Sequence, residues 1–110
     1  MLTNLLAETN KILVENGKTP LDVLFVASFS GGFDGRVPAL GTWEDFAKLA
    51  NFQYDSGYGG ADINMNLVIV GDCWWLERGE YDGSEWWEFK TIPMKPINSI
   101  PLDDSNIREE

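Results

Sequence analysis

Carboxylates and tryptophans crowd one stretch of the chain, CWWLERGEYDGSEWWEFK at residues 73–90, which holds four of the five tryptophans. Six acids run from Asp72 to Glu88, namely Asp72, Glu77, Glu80, Asp82, Glu85 and Glu88, and Arg78 is the one base among them. Two chemistries could use such a set. A carboxylate pair such as Glu77 and Glu88 can share acid–base work on a glycosidic bond if a sugar-sized cleft holds the substrate. Alternatively, carboxylates fixed on a hairpin can occupy a groove that normally holds phosphates, with exposed aromatic rings as anchors. The chain has no histidine, no nucleophile set beside a base and no metal-ligand spacing, and a hairpin in a small domain rarely builds a cleft. Catalysis is therefore not expected, and neither a metal nor any other cofactor is implied.

Other stretches offer weaker chemistry. The glycine-rich SGGFDGR at 30–36 matches neither a phosphate-binding loop nor a dinucleotide fingerprint and is expected to be a plain loop. Asp55, Asp62 and Asn64 carry oxygens a calcium ion could use, but the spacing and terminal glutamate of a calcium loop are missing. Tyr54 and Tyr58 in the same segment either pack back on the domain or help form a contact surface. Cys73, the lone cysteine, has no histidine to activate it and is expected to be a small strand hydrophobe.

The bulk numbers limit the partners. Eight basic against eighteen acidic residues give a formal charge of −10, which repels nucleic-acid phosphates and anionic membranes. Direct nucleic-acid binding and membrane association are not expected, whereas a partner with a basic surface is favoured. The longest apolar runs, such as LVIV at 67–70, fall far short of a bilayer span. A single cysteine and no recognisable secretory signal predict a cytoplasmic location.

The elements that must position the acidic stretch follow from periodicity. Leu2, Leu5, Leu6, Ile12 and Leu13 recur at helical spacing, predicting a helix over about 2–16 that Gly17 stops. DVLFVASF at 22–29 reads as a strand. Thr42 caps a second helix over about 43–51, with Glu44 and Asp45 in its first turn and Trp43, Phe46, Ala47 and Ala50 on one stripe. From Leu67 a β-meander of three consecutive strands is predicted, turning at Gly71-Asp72 and at Asp82-Gly83. The expectation is an α+β domain over residues 1–93, an antiparallel meander sheet of about four strands packed with two α-helices. Residues 94–110, proline-rich and charged at the end, should form an extended or partly disordered tail.

Two-residue turns fix register and hence faces. Asp82-Gly83 sets Tyr81 opposite Ser84, Arg78 opposite Trp87 and Leu76 opposite Phe89; Gly71-Asp72 sets Ile69 opposite Trp74 and Leu67 opposite Leu76. One face then carries Leu67, Ile69, Trp74, Leu76, Trp87 and Phe89, the predicted core. The other receives Val68, Val70, Cys73, Trp75, Glu77, Trp86, Glu88 and Lys90. Glu77 directly opposite Glu88 costs up to about 1 kcal/mol unless a base answers it. That second face is open to two readings: a helix or the tail near Ile97 and Ile100 covers it, or a partner does.

Residues 54–93, through the signatures WWLER and EYDGSEWWE, resemble a family of small acidic proteins of bacteriophages and prophages of Gram-positive bacteria; Cys73 departs from it, standing where the pattern has a polar residue. The resemblance implies a phage origin and carries no catalytic residues. Together with the charge, it leads to an expected function: a non-enzymatic, anti-CRISPR-like inhibitor of a host nucleic-acid-binding defence protein, a CRISPR effector nuclease being one such partner. The contact residues would be Asp72, Trp75, Glu77, Glu80, Asp82, Glu85, Trp86 and Glu88, acting as a phosphate mimic in the host cytoplasm. A carbohydrate-binding module, a protein-binding module of unrelated role, and a homodimer through the second face stay open as alternatives.

Overall fold

The computed structural model describes residues 2–29, 37–57 and 59–109. In chain order the elements are β1 (Leu2–Asn4), α1 (Leu5–Glu15), β2 (Val23–Ser28), β3 (Ala39–Gly41), α2 (Trp43–Leu49), β4 (Gln53–Asp55), β5 (Leu67–Gly71), β6 (Trp74–Tyr81), β7 (Ser84–Thr91) and α3 (Asp104–Ile107), with a 3-10 turn at Pro20–Asp22. The fold is α+β, with antiparallel sheets. The main sheet has five strands in the order β3-β2-β5-β6-β7, and β1 pairs with β4 in a separate two-stranded ribbon.

Local chemistry sets the boundaries. The first helix begins at Leu5 rather than residue 2 because Asn4 is extended and its side chain accepts the Ala7 N–H at 2.9 Å, capping the helix. Leu2–Asn4 is thereby released to pair with Gln53–Asp55, inside the segment expected to be a loop. At α2, Thr42 accepts from Asp45 N–H while the Asp45 carboxylate accepts from Thr42 N–H, a reciprocal cap that holds the Asp45 carboxyl below the usual carboxylate range. The SGGFDGR loop and Tyr58 lie outside the described residues.

The two hairpin turns differ in outcome. Asp82 and Gly83 both take positive φ, as the I′ turn requires, and the β6/β7 register is the expected one. At the other turn the loop residues are Asp72 and Cys73, not Gly71 and Asp72, so Ile69 faces Leu76 and Val70 faces Trp75. Cys73 is an exposed turn residue with φ 66°, not a strand hydrophobe. Its thiol is pushed above its usual range by the Asp72 carboxylate 3.6 Å away. Gly71 belongs to β5, where a Cβ would collide with the Trp74 indole opposite. The turn lies one residue further along the chain than expected, a register shift of two in total. A shift of two preserves which face each side chain occupies.

Both main helices cover the same face. Leu5 and Leu13 from α1 and Phe46 from α2 meet Val26, Ile69, Trp74, Leu76 and Trp87 from the sheet in one buried cluster, with Ala50, Tyr54 and Ile63 closing its rim. Thr9, fully buried, ties helix to sheet: its hydroxyl donates to Leu5 C=O at 2.7 Å and accepts the Trp87 indole N–H at 2.8 Å. Beyond Ile92, whose N–H still donates to Cys73 C=O, the chain runs out exposed to the short α3, with Ile97 99% accessible. Among the described residues no helix is long and apolar enough to cross a membrane.

Candidate functional site

Alternation along β2, β5, β6 and β7 puts a second set of side chains on the face opposite the helices. Phe25 and Ala27 on β2 neighbour Val70 and Val68 on β5, which neighbour Trp75 and Glu77 on β6, which neighbour Lys90 and Glu88 on β7. Trp86 lies across from Gly79. Among the described residues neither α1 nor α2 packs here and the tail stays exposed, so Trp75, Glu77, Trp86 and Glu88 are half-buried. Phe29, just beyond β2, is about half exposed and continues the aromatic surface.

The polar atoms of this face are organised. The Trp75 indole N–H donates to Glu77 Oε1 at 2.7 Å, and the Trp86 indole N–H donates to Glu88 Oε2 at 3.1 Å. Each bond joins residues two apart on one strand, which share a face by the period of the pleat. Glu77 and Glu88 are register partners, the like-charge pair expected from the sequence. Lys90 answers Glu88 at 3.5 Å rather than stacking on Trp75, and among the described residues Glu77 has no cationic partner. Gly79 makes room for Trp86: a Cβ there would stand 2.7 Å from both the Trp86 Nε1 and the Glu88 Oε2.

The expected contact residues do not form one group. Trp75, Glu77, Trp86 and Glu88 come together on the open face. Asp72 and Asp82 sit exposed in the two turns, at opposite ends of the hairpin, and Glu80 is exposed near the Asp82 end of β6. Glu85 is a correction: it is 4% exposed and cannot be a surface contact. It lies on the helix-covered side of β7, where it binds the Arg78 guanidinium at 3.0 Å and accepts the N–H groups of Asp62 and Ile63 at 2.6 and 3.1 Å. The reason is Arg78, which alternation places in the core, where it needs a counter-charge.

Arg78 itself stands 4.7 Å over the Trp87 ring, donates to Tyr54 OH at 3.0 Å and pairs with Glu8 at 3.5 Å. Tyr54 OH donates to Glu8 Oε1 at 2.6 Å; burial, together with that bond, pushes its pKa up to about 12. Among the described residues Arg78 Nε and Nη1 have no hydrogen-bond partner, so the Trp87 ring and the Glu8 charge are what answer that side of the guanidinium. This buried group joins α1, β4, the 62–63 loop and the hairpin.

Phe25, Phe29 and Gly79 belong to the open face and were not among the expected site residues. The alternation of VLFVASF carried the signal for the two phenylalanines, once β2 is known to flank β5. Among the described residues no three potential metal ligands gather. No family model matches the chain, and no match was found among curated proteins or solved structures.

Proposed function

We propose that the chain is a non-enzymatic, phage-encoded inhibitor that docks on the basic, nucleic-acid-contacting surface of a host defence protein, in the manner of an anti-CRISPR protein. One observation carries the reading: a sheet face left open by the helices, on which two half-buried indoles flank two opposed carboxylates. Aromatic rings supply desolvated contact area, and carboxylates in excess of cations complement a phosphate-binding groove. A net charge of −10 steers the encounter and makes it salt-sensitive. The phage setting comes from the resemblance of residues 54–93.

The test begins with capture from host lysate on the immobilised chain, followed by competition. A captured protein must bind nucleic acid, lose that binding when the chain is added, and bind more weakly as salt rises. Trp75→Ala with Trp86→Ala should reduce its affinity by about a hundredfold, the effect of losing two interface anchors. Flat indoles beside carboxylates also suit a sugar ring. Salt-insensitive binding of oligosaccharides, lost in the same two variants, would replace the inhibitor reading with a carbohydrate-binding one.

A further inference from the structure

Trp75-Leu76-Glu77 on β6 and Trp86-Trp87-Glu88 on β7 are the same Trp-x-Glu unit written twice on antiparallel strands. Because Glu77 is the register partner of Glu88, a half-turn about the sheet normal between them exchanges the two units. Trp75 and Trp86 then stand four residues apart along the strands, about 13 Å, with both carboxylates between them. Each carboxylate has one oxygen occupied by its own indole N–H; among the described residues Glu77 Oε2 has no donor, and Glu88 Oε1 faces the Lys90 ammonium. Among the described residues Lys90, 3.5 Å from Glu88 Oε1, is the single cation present, so these groups leave the centre one negative charge in excess.

We infer that this centre reads a single arginine side chain presented by a protein partner, its guanidinium bridging Glu77 and Glu88 with its plane against an indole. The inference rests on the proposed binding role of the open face and names the group that face selects. Charge complementarity fixes the sign of the occupant: one monovalent cation neutralises the centre. Geometry favours guanidinium over ammonium. A planar fork with five donors can bond two carboxylates at once and stack on an aromatic face, whereas ammonium is a compact, strongly hydrated point charge. Gly79 keeps the approach flat, since any side chain there would displace the Trp86 indole and the Glu88 carboxylate. A second copy of this chain is a poor occupant, because a two-fold contact would oppose this acidic centre to itself.

The probe is a capped Gly-Arg-Gly peptide, with Gly-Lys-Gly and Gly-citrulline-Gly as controls, titrated while the five indole N–H signals are followed by NMR. Trp75→Phe and Trp86→Phe assign two of them. Saturable shifts of those two signals are expected, with Trp74 and Trp87 unmoved, binding at least about threefold weaker for lysine and none for citrulline. Glu77→Gln and Glu88→Gln should each weaken the arginine peptide about tenfold, a charge-assisted bond apiece. Equal responses to arginine and lysine, shifts that never saturate, or shifts produced by raising protein concentration alone would overturn the inference. A captured nucleic-acid-binding partner whose affinity survives both glutamine variants would overturn it too, leaving the inhibitor reading in place. Arginine-selective titration with no captured partner would support the site and sink only that reading.

Discussion

Substituting Glu85 separates a structural carboxylate from the exposed ones around it. Its oxygens serve Arg78 at 3.0 Å and two backbone N–H groups, and both members of the ion pair have fully buried side chains. Removing one partner of a buried pair leaves an uncompensated charge, which costs about 3–5 kcal/mol. Glu85→Gln keeps an amide oxygen for one N–H and should fall at the low end, about 3 kcal/mol; Glu85→Ala keeps none and should reach the high end. For a domain near 100 residues, each kcal/mol moves the melting midpoint by about 4–8 °C, so Glu85→Gln should lose about 15 °C. Glu77→Gln and Glu88→Gln, half-exposed and paired at most through a surface contact, should each change stability by less than about 1 kcal/mol. Urea unfolding followed by tryptophan fluorescence measures all of these on one scale.

The mechanism carries its own control. If the penalty is the stranded guanidinium, Arg78→Met added to Glu85→Leu should recover stability relative to Glu85→Leu alone, because an apolar pair leaves no buried charge. Glu85→Gln within about 1 kcal/mol of the parent, or a double variant no more stable than the single, would refute the burial argument. A charge-reversal scan of the acidic stretch must therefore omit Glu85, whose reversal would report unfolding as lost binding.

Two further outcomes follow from the same packing. Gly71→Ala should cost about 1–3 kcal/mol and alter the near-ultraviolet circular dichroism, since a Cβ collides with the buried Trp74 indole; an unchanged spectrum at full stability would contradict that contact. The Tyr54 pKa of about 12 lies above its unfolded value of 10.0, so neutral Tyr54 contributes stability that is complete below pH 10 and lost as pH rises towards 12. Tyr54→Phe should flatten that alkaline decline, which urea titrations from pH 9 to 12 would detect.

Much of the hairpin was legible because its information is local. Asp82-Gly83 fixes one register outright, and the alternation of Trp74, Leu76 and Trp87 against Trp75, Glu77, Trp86 and Glu88 survives the slipped turn at Asp72-Cys73, since a shift of two residues changes neighbours without changing sides. What failed was non-local or too short. Three-residue strands such as β1, β3 and β4 show no period, and their pairing comes from tertiary neighbours. Glu85 was grouped with the exposed acids by composition, yet two steps from Trp87 on the same strand it shares that residue's buried side; the parity that placed the tryptophans also placed it. The main sheet has β3 as an additional strand, and the tail holds a short helix, α3, started by a reciprocal Asp103 and Asn106 cap.

The doubled tryptophans tie the proposed contact face to the core through one backbone. In each Trp-Trp pair one ring enters the helix-covered core and the other the open face: Trp74 with Trp75 on β6, Trp87 with Trp86 on β7. Two of these rings are seated on glycines directly across the strand, Trp74 on Gly71 inside and Trp86 on Gly79 outside. The open face therefore inherits its spacing from strands that the core already holds in register. Its indoles are further held by bonds to Glu77 and Glu88, so little rotamer freedom is left to lose on binding. The same bonds explain how the Glu77/Glu88 opposition is tolerated in the free protein. Each carboxylate is partly answered by an indole N–H, and the charge left over is what a cationic partner would neutralise.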